Sequence, residues 1–218
     1  MTPEYYQKKI KRLEGKNKKL RGSLHKINYE IVGLLQDVFS IMDGHEDSHS
    51  NRVAFYSIII ARKLRELYPG ITANITRDAV CFHDLGKIGI PHEILLKPSE
   101  LTDEEFQKIK KHTIIGSKIV GRIKSFQNNL DVIKFHHERW DGEGYPLGLE
   151  GEKIPLSARI LAVADAFDAM TSQRPYRDKM SPEEAKEEIL ANSGTQFDPR
   201  IVEAFLAAWD EILIRCNN

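Results

Sequence analysis

Cysteine, long apolar runs and strand patterning are the scarce features of this 218-residue sequence. Its two cysteines, Cys81 and Cys216, lie far apart and form no CxxC pair. That excludes a disulfide framework and suits a reducing compartment. No segment approaches the roughly 20 apolar residues of a membrane-spanning helix. The first residues lack the apolar core of a signal peptide, so the expectation is a cytoplasmic chain without a membrane span. Hydrophobic residues make up 41% of the sequence, enough for a real core and too many for intrinsic disorder.

Net charge is zero but unevenly spread. Residues 1–35 hold nine Lys or Arg against three Glu, a local +6 that leaves −6 for the remainder. Such an arm can touch nucleic acid or anionic lipid, yet no aromatic residue lies between Lys8 and Lys26 to stack on bases. It reads as a solvated helix face, and no DNA partner is expected. Ile10, Leu13, Asn17, Leu20, Leu24, Ile27, Ile31 and Leu34 keep a 3-4 spacing. This is a heptad seam, with polar Asn17 at an a-type position where it can fix register. Gly15 and Gly22 fall on the outer face and weaken the helix. The arm, residues 1–35, is expected to form a short parallel coiled coil and a homodimer; the alternative is a single amphipathic helix packed on its own domain.

Beyond the arm the periodicity is helical throughout. Helices are expected at about 28–42, 48–68, 75–85, 103–111, 114–123 and 129–139. Another starts with Pro155 at its first position and runs to about Ser172. Thr102-Asp-Glu-Glu105 and Ser181-Pro-Glu-Glu184 are capping-box patterns, and Asp198-Pro199 opens the last helix. Residues 86–98 read as irregular, and Asp141-Gly-Glu-Gly-Tyr-Pro146 as a loop. The fold class is all-α, with residues 36–218 forming one domain after the arm and no internal repeat.

Eight histidines are distributed along this scaffold. His25 and His92 read as ordinary surface residues. His83-Asp84 follows the apolar run Ala79-Val80-Cys81-Phe82, and one imidazole beside one carboxylate suits a first-row divalent metal. Lys87 lies about one helical turn past Asp84, so its ammonium can sit beside the ions. His136-His137 follows Val132, Ile133 and Phe135. Adjacent residues on a helix point roughly 100° apart, so these two imidazoles can reach different ions. Asp165 stands in the apolar run Leu161 to Phe167 and needs a partner, either a metal or a salt bridge. Imidazole plus carboxylate favours Fe, Mn or Zn over Mg, and the lack of cysteine argues against a structural zinc site. From residues alone, the chemistry is that of a metal-dependent hydrolase on a helical scaffold.

Taken together, His49-Ser-Asn-Arg-Val53, His83-Asp-Leu-Gly-Lys-Ile-Gly-Ile-Pro91, His112 with Gly116, and His136-His-Glu-Arg-Trp-Asp-Gly-Glu-Gly-Tyr-Pro146 resemble the HD-GYP family. This is a branch of the HD superfamily of metal-dependent phosphohydrolases. Ala158 to Met170, Arg174-Pro-Tyr-Arg177 and Gly194 to Pro199 continue the likeness, which covers residues 36–210. The resemblance implies the HD-superfamily helical bundle and a cyclic di-GMP phosphodiesterase of bacterial second-messenger signalling. It implies His49, His83, Asp84 and Asp165 as the ligands shared across the superfamily, with Asp84 bridging ions. His112, His136 and His137 would serve the further ion or ions, and Lys87 the scissile phosphate or departing oxygen. A metal-bridging hydroxide would attack. Tyr145, Arg174, Arg177 and Asp43 would contact the nucleotide, and Asp168 would orient a ligand from behind or bind a product phosphate indirectly. Signalling partner proteins fit the same picture.

The chain departs from the family where some members carry a glutamate four residues before the first ligand. Here that residue is His45, followed by Glu46. Three outcomes are open: His45 ligates, Glu46 reaches in, or the site holds two ions. Two ions, iron or manganese before zinc, are the expectation, and with them linear pGpG rather than GMP as the main product. Two other readings stand beside this one. The domain is a low-turnover cyclic dinucleotide-binding or docking module, or it hydrolyses another nucleotide such as a mixed cyclic dinucleotide.

Overall fold

In the computed structural model the heptad pattern becomes one helix, α1 (Pro3–Asp43). The structure describes residues 3–43, 48–71, 73, 75, 77–173 and 179–216. The chain divides into two compact units, Met1–Val38 and Phe39–Asn218. In the first unit the seam residues Ile10, Leu13, Leu20, Leu24, Ile27, Ile31 and Leu34 are 46–67% exposed. Gly15 and Gly22 face open space.

The second unit contains α2 (Ser48–Leu67), α3 (Arg77–Cys81), α4 (His92–Leu95), α5 (Asp103–Lys110) and α6 (His112–Val120). It continues with α7 (Leu130–Phe135), α8 (Leu156–Thr171), α9 (Pro182–Ala191), α10 (Pro199–Ala207) and α11 (Trp209–Cys216). Short 3-10 segments occupy Leu85–Gly89, Lys124–Asn129 and Gly151–Lys153. Among the described residues there is no strand, only isolated bridges at Asp141–Glu150 and Ser193–Phe197, so the all-α expectation holds.

On α2, Val53, Tyr56, Ile60 and Leu64 recur at helical spacing and are all buried. They pack against α8, whose Ile160, Leu161, Val163, Ala164 and Phe167 are fully buried, and against α10. Tyr56, Phe167, Phe205 and Trp209 form an edge-to-face aromatic chain through this core, with centroids 5.2–5.8 Å apart. Both capping boxes form: Thr102 caps α5 and Ser181 caps α9.

Boundaries differ from expectation at several points: α4 lies within the stretch 86–98 that read as irregular, and α6 starts and ends earlier than 114–123. α3 stops at Cys81 because Leu85–Gly89 winds as a 3-10 turn. Pro155 is the N-cap of α8 rather than its first residue. α7 ends at Phe135, so His136 and His137 lie beyond the helix. The helix opened by Asp198-Pro199 is broken at Ala208, giving α11.

Two glycines allow an unusually close approach. A Cβ on Gly86 would collide with the His112 carbonyl oxygen and the Gly116 amide. Gly116 in turn lies under Gly86, with its own Cβ position 3.1 Å from the Gly86 nitrogen. The 3-10 turn therefore lies backbone-to-backbone on α6, which brings Asp84 and His112 together.

Candidate metal centre

Three histidines stand just past helix ends and turn back on them. His83 Nδ1 donates to Val80 O at 2.7 Å, His112 Nδ1 to Ile109 O at 2.8 Å, and His136 Nδ1 to Ile133 O at 2.9 Å. A carbonyl can only accept, so each bond places a proton on Nδ1 and leaves Nε2 as the nitrogen that could ligate a metal. His49 is oriented differently. Its Nδ1 donates to Asp168 Oδ2 at 2.7 Å, from a residue 119 positions away. Asp168 is fully buried. Arg52 forks onto both its oxygens at 2.6 and 3.0 Å, and Ser172 Oγ donates to it at 3.1 Å. Burial alone would raise the Asp168 pKa, but the bonds from His49 and Arg52 hold it below the usual carboxylate range.

The donor atoms gather into two groups, each with its atoms within 4.8 Å of one another: Asp84, His112, His136 and His137, and His49, His83 and Asp165. Asp84 faces both. Its Oδ1 is 3.5 Å from His112 Nε2, and its Oδ2 is 3.5 Å from His83 Nε2. Asp165 Oδ1 lies 3.5 Å from His49 Nε2 and 3.7 Å from His83 Nε2. His136 and His137, ring centroids 4.1 Å apart, fall in one group. The helical phase allowed them to reach different ions, but their donor atoms lie in one group. The 100° helical phase does not apply once the helix has ended at Phe135.

Burial pushes the His112 and His136 pKa values down, and that of His137 down to about 4. All three are therefore neutral, the form that binds metal. Burial pulls His83 down as well, but Asp84 and Asp165 outweigh it and raise its pKa to about 9. Burial would raise both carboxylates, yet Lys87 and His83 hold Asp84 well below its usual range, and His83 does the same for Asp165. Lys87 Nζ is 2.6 Å from Asp84 Oδ2.

These residues fit divalent cations. His83 Nε2 is fully buried with no hydrogen-bond partner. His112 Nε2 and His136 Nε2 face each other at 3.4 Å with their protons committed to the other nitrogen, a repulsive pair of lone pairs unless a cation lies between them.

A model of the HD domain family matches residues 35–201. The chain belongs to the HD domain family. The HD-GYP resemblance is upheld by relatives that carry the same motifs' activity in their names. A cyclic di-GMP phosphodiesterase of Thermotoga maritima is 44% identical over 84% of this chain and 50% of its own length. A 3'3'-cGAMP-specific phosphodiesterase of Vibrio cholerae is 37% identical over 90% of this chain and 38% of its own length. The chain thus spans about half or less of these relatives. The crystal structure of a cyclic GMP-AMP specific phosphodiesterase from V. cholerae superimposes with a TM-score of 0.61 at 20% identity, covering 86% of this chain and 51% of that one. At that identity it shows the fold.

In this HD domain Tyr145 stacks on His137, ring centroids 4.7 Å apart and planes at 25°. Its loop is pinned by Glu138, a buried carboxylate that accepts from Leu147 N at 2.7 Å and Leu149 N at 2.9 Å. Gly144 crosses so close to Glu138 and Arg139 that no Cβ fits there. His45, Glu46, Arg174 and Arg177 lie outside the described residues, as does the side chain of Asp43, the last residue of α1. Sequence reasoning missed Arg52 and Glu138. The signal for Arg52 was its place one turn after His49; Glu138 carried none beyond adjacency to the histidine pair. No helix among the described residues is long and apolar enough to cross a membrane.

Proposed function

We propose that this HD domain is a metal-dependent phosphodiesterase that opens cyclic di-GMP to linear pGpG. The observation that carries the reading is the placement of Asp84, with one oxygen toward each group of imidazoles. Two divalent ions, iron or manganese before zinc, would be held by His49, His83 and Asp165 on one side and by His112, His136 and His137 on the other, with Asp84 shared. Ions so placed supply Lewis-acid activation of water and of a phosphoryl oxygen. The chain's own residues do the rest. Asp168 and Arg52 fix His49, and the carbonyls of Val80, Ile109 and Ile133 fix the other rings. Lys87 places its ammonium beside Asp84, where it neutralises the scissile phosphate and gives a proton to the departing oxygen. Tyr145, Arg174, Arg177 and Asp43 hold the nucleotide. His45 and Glu46 add no third ion.

Chromatography of products from manganese- or iron-loaded protein tests this. Accumulation of pGpG is expected; rapid full conversion to GMP defeats the two-ion reading, and no turnover of any cyclic dinucleotide defeats the enzyme reading. The similarity to 3'3'-cGAMP-specific enzymes favours a second substrate, so both cyclic dinucleotides belong in the assay at equal concentration.

The exposed α1 seam supports a parallel homodimer in the cytoplasm, through which a signalling partner would act on residues 36–218. Light scattering is expected to give a dimer mass, and Leu24→Lys a monomer. An unchanged mass for that variant removes the arm as the contact.

A further inference from the structure

Helix α5 buries none of its residues, yet it carries a phenylalanine and a lysine to the edge of the metal centre. It is held from outside by polar links: the Thr102–Glu105 capping box and the Lys97 ammonium 2.6 Å from Glu105. Phe106 is 42% exposed. Its ring meets Tyr145 edge-to-face with centroids 6.4 Å apart. Lys110 Nζ, one turn on, hangs 4.7 Å from the Phe106 centroid and 5.4 Å from that of Tyr145. Tyr145 is itself stacked on His137, so the ammonium and the open aromatic face stand within the reach of one dinucleotide from the imidazoles.

An ammonium over aromatic rings at an exposed site is weakly held and can be exchanged for a ligand. The charge pattern says which ligand. A cyclic dinucleotide carries two phosphodiesters and two purines. Only one phosphodiester can meet the ions at a time; the other keeps a full negative charge that Asp84, Asp165 and their imidazoles do not neutralise. We infer that Phe106 and Lys110 form a second subsite of the same centre, in which Phe106 stacks on a purine and Lys110 pairs with the phosphate that is not being cut. The inference rests on the cyclic dinucleotide reading and makes both residues determinants of substrate preference rather than catalytic groups. Every purine offers a π-face, so the stack selects nucleotide over simple diester without choosing between guanine and adenine.

The test compares cyclic di-GMP with bis(p-nitrophenyl) phosphate, a diester with no purine and no second phosphate, on the manganese-loaded full chain. Phe106→Ala is expected to raise KM for cyclic di-GMP about tenfold, the size of one lost base–aromatic stack, with a smaller change in kcat. Lys110→Gln is expected to raise KM and to flatten its rise with added salt, and Lys110→Arg to restore both. In each damaged variant the ratio of kcat/KM between the two substrates should fall. If wild-type protein cleaves cyclic di-GMP and both variants keep that ratio, the subsite is refuted while the function stands. If wild-type protein cleaves only the small diester, the substrate reading itself fails and the subsite with it.

Discussion

The two halves of the candidate metal centre are built by different means. His112 and His136 are aimed by carbonyls three residues behind them, within their own stretch of chain. His49 is aimed by Asp168, which Arg52 and Ser172 hold from α2 and from the residue after α8. One half is aimed by local backbone; the other joins a locally aimed His83 to a His49 held by a buried ion network whose members meet only when α2 packs on α8. The local half should survive loosening of the core better than the networked half. Asp84, which faces both, should be sensitive to everything.

Predictions that break or sharpen this contrast run from large to small. Asp84→Ala removes the proposed shared ligand: loading at both positions and hydrolysis should fall by roughly 10³-fold or more, about 4 kcal/mol of barrier. Retained activity in a manganese-loaded assay rules out its bridging position. Lys87→Ala should keep both ions by elemental analysis while kcat drops on the order of 10²-fold; loss of metal would mean that Lys87 supports Asp84 rather than the reaction. Arg52→Ala should weaken one class of ion by about 10–100-fold and spare the other in a metal titration. Arg52→Lys should rescue little, because an ammonium cannot fork onto two carboxylate oxygens. Equal weakening of both classes would erase the distinction between the halves.

The smallest effect is pH dependence of the metal-free protein. His137, with a folded pKa of about 4, binds its proton only after unfolding, so stability is full above pH 6.5 and is lost as pH falls toward 4. From pH 7 to pH 5 this costs about 2 kcal/mol, and His112 and His136 add in the same direction. His83 works oppositely: with a folded pKa of about 9, its contribution is full below pH 6.5 and fades as pH rises through 9. Thermal melts at pH 5 and pH 7 should therefore show net acid destabilisation, shrinking when manganese occupies the centre.

The same contrast explains what could be read before folding. Capping boxes at Thr102 and Ser181 and the helix carrying the α1 heptad are local patterns, and they appear in the structure at the expected residues. The cluster of histidines was legible through its motifs. Arg52 was not, because its partner Asp168 is 116 residues away and nothing in a helical repeat announces a cross-core ion pair. The early end of α3 was hidden for a similar reason: Gly86 is needed to lie on α6, a demand that comes from another helix. Glu138 looked like one more polar residue beside two histidines, and its task is set by the loop that folds back onto it.

The bonds from His83 and His136 have another side. Val80 and Ile133 lie in the last turns of α3 and α7, so these imidazoles also donate to helix-end carbonyls, at Val80 beside the bond from the His83 amide at 3.1 Å. Changing either histidine to alanine removes a bond at a helix tip along with a candidate ligand. Loss of function in such a variant reports on folding as much as on chemistry, and asparagine, which can still donate to a carbonyl, is the cleaner substitution.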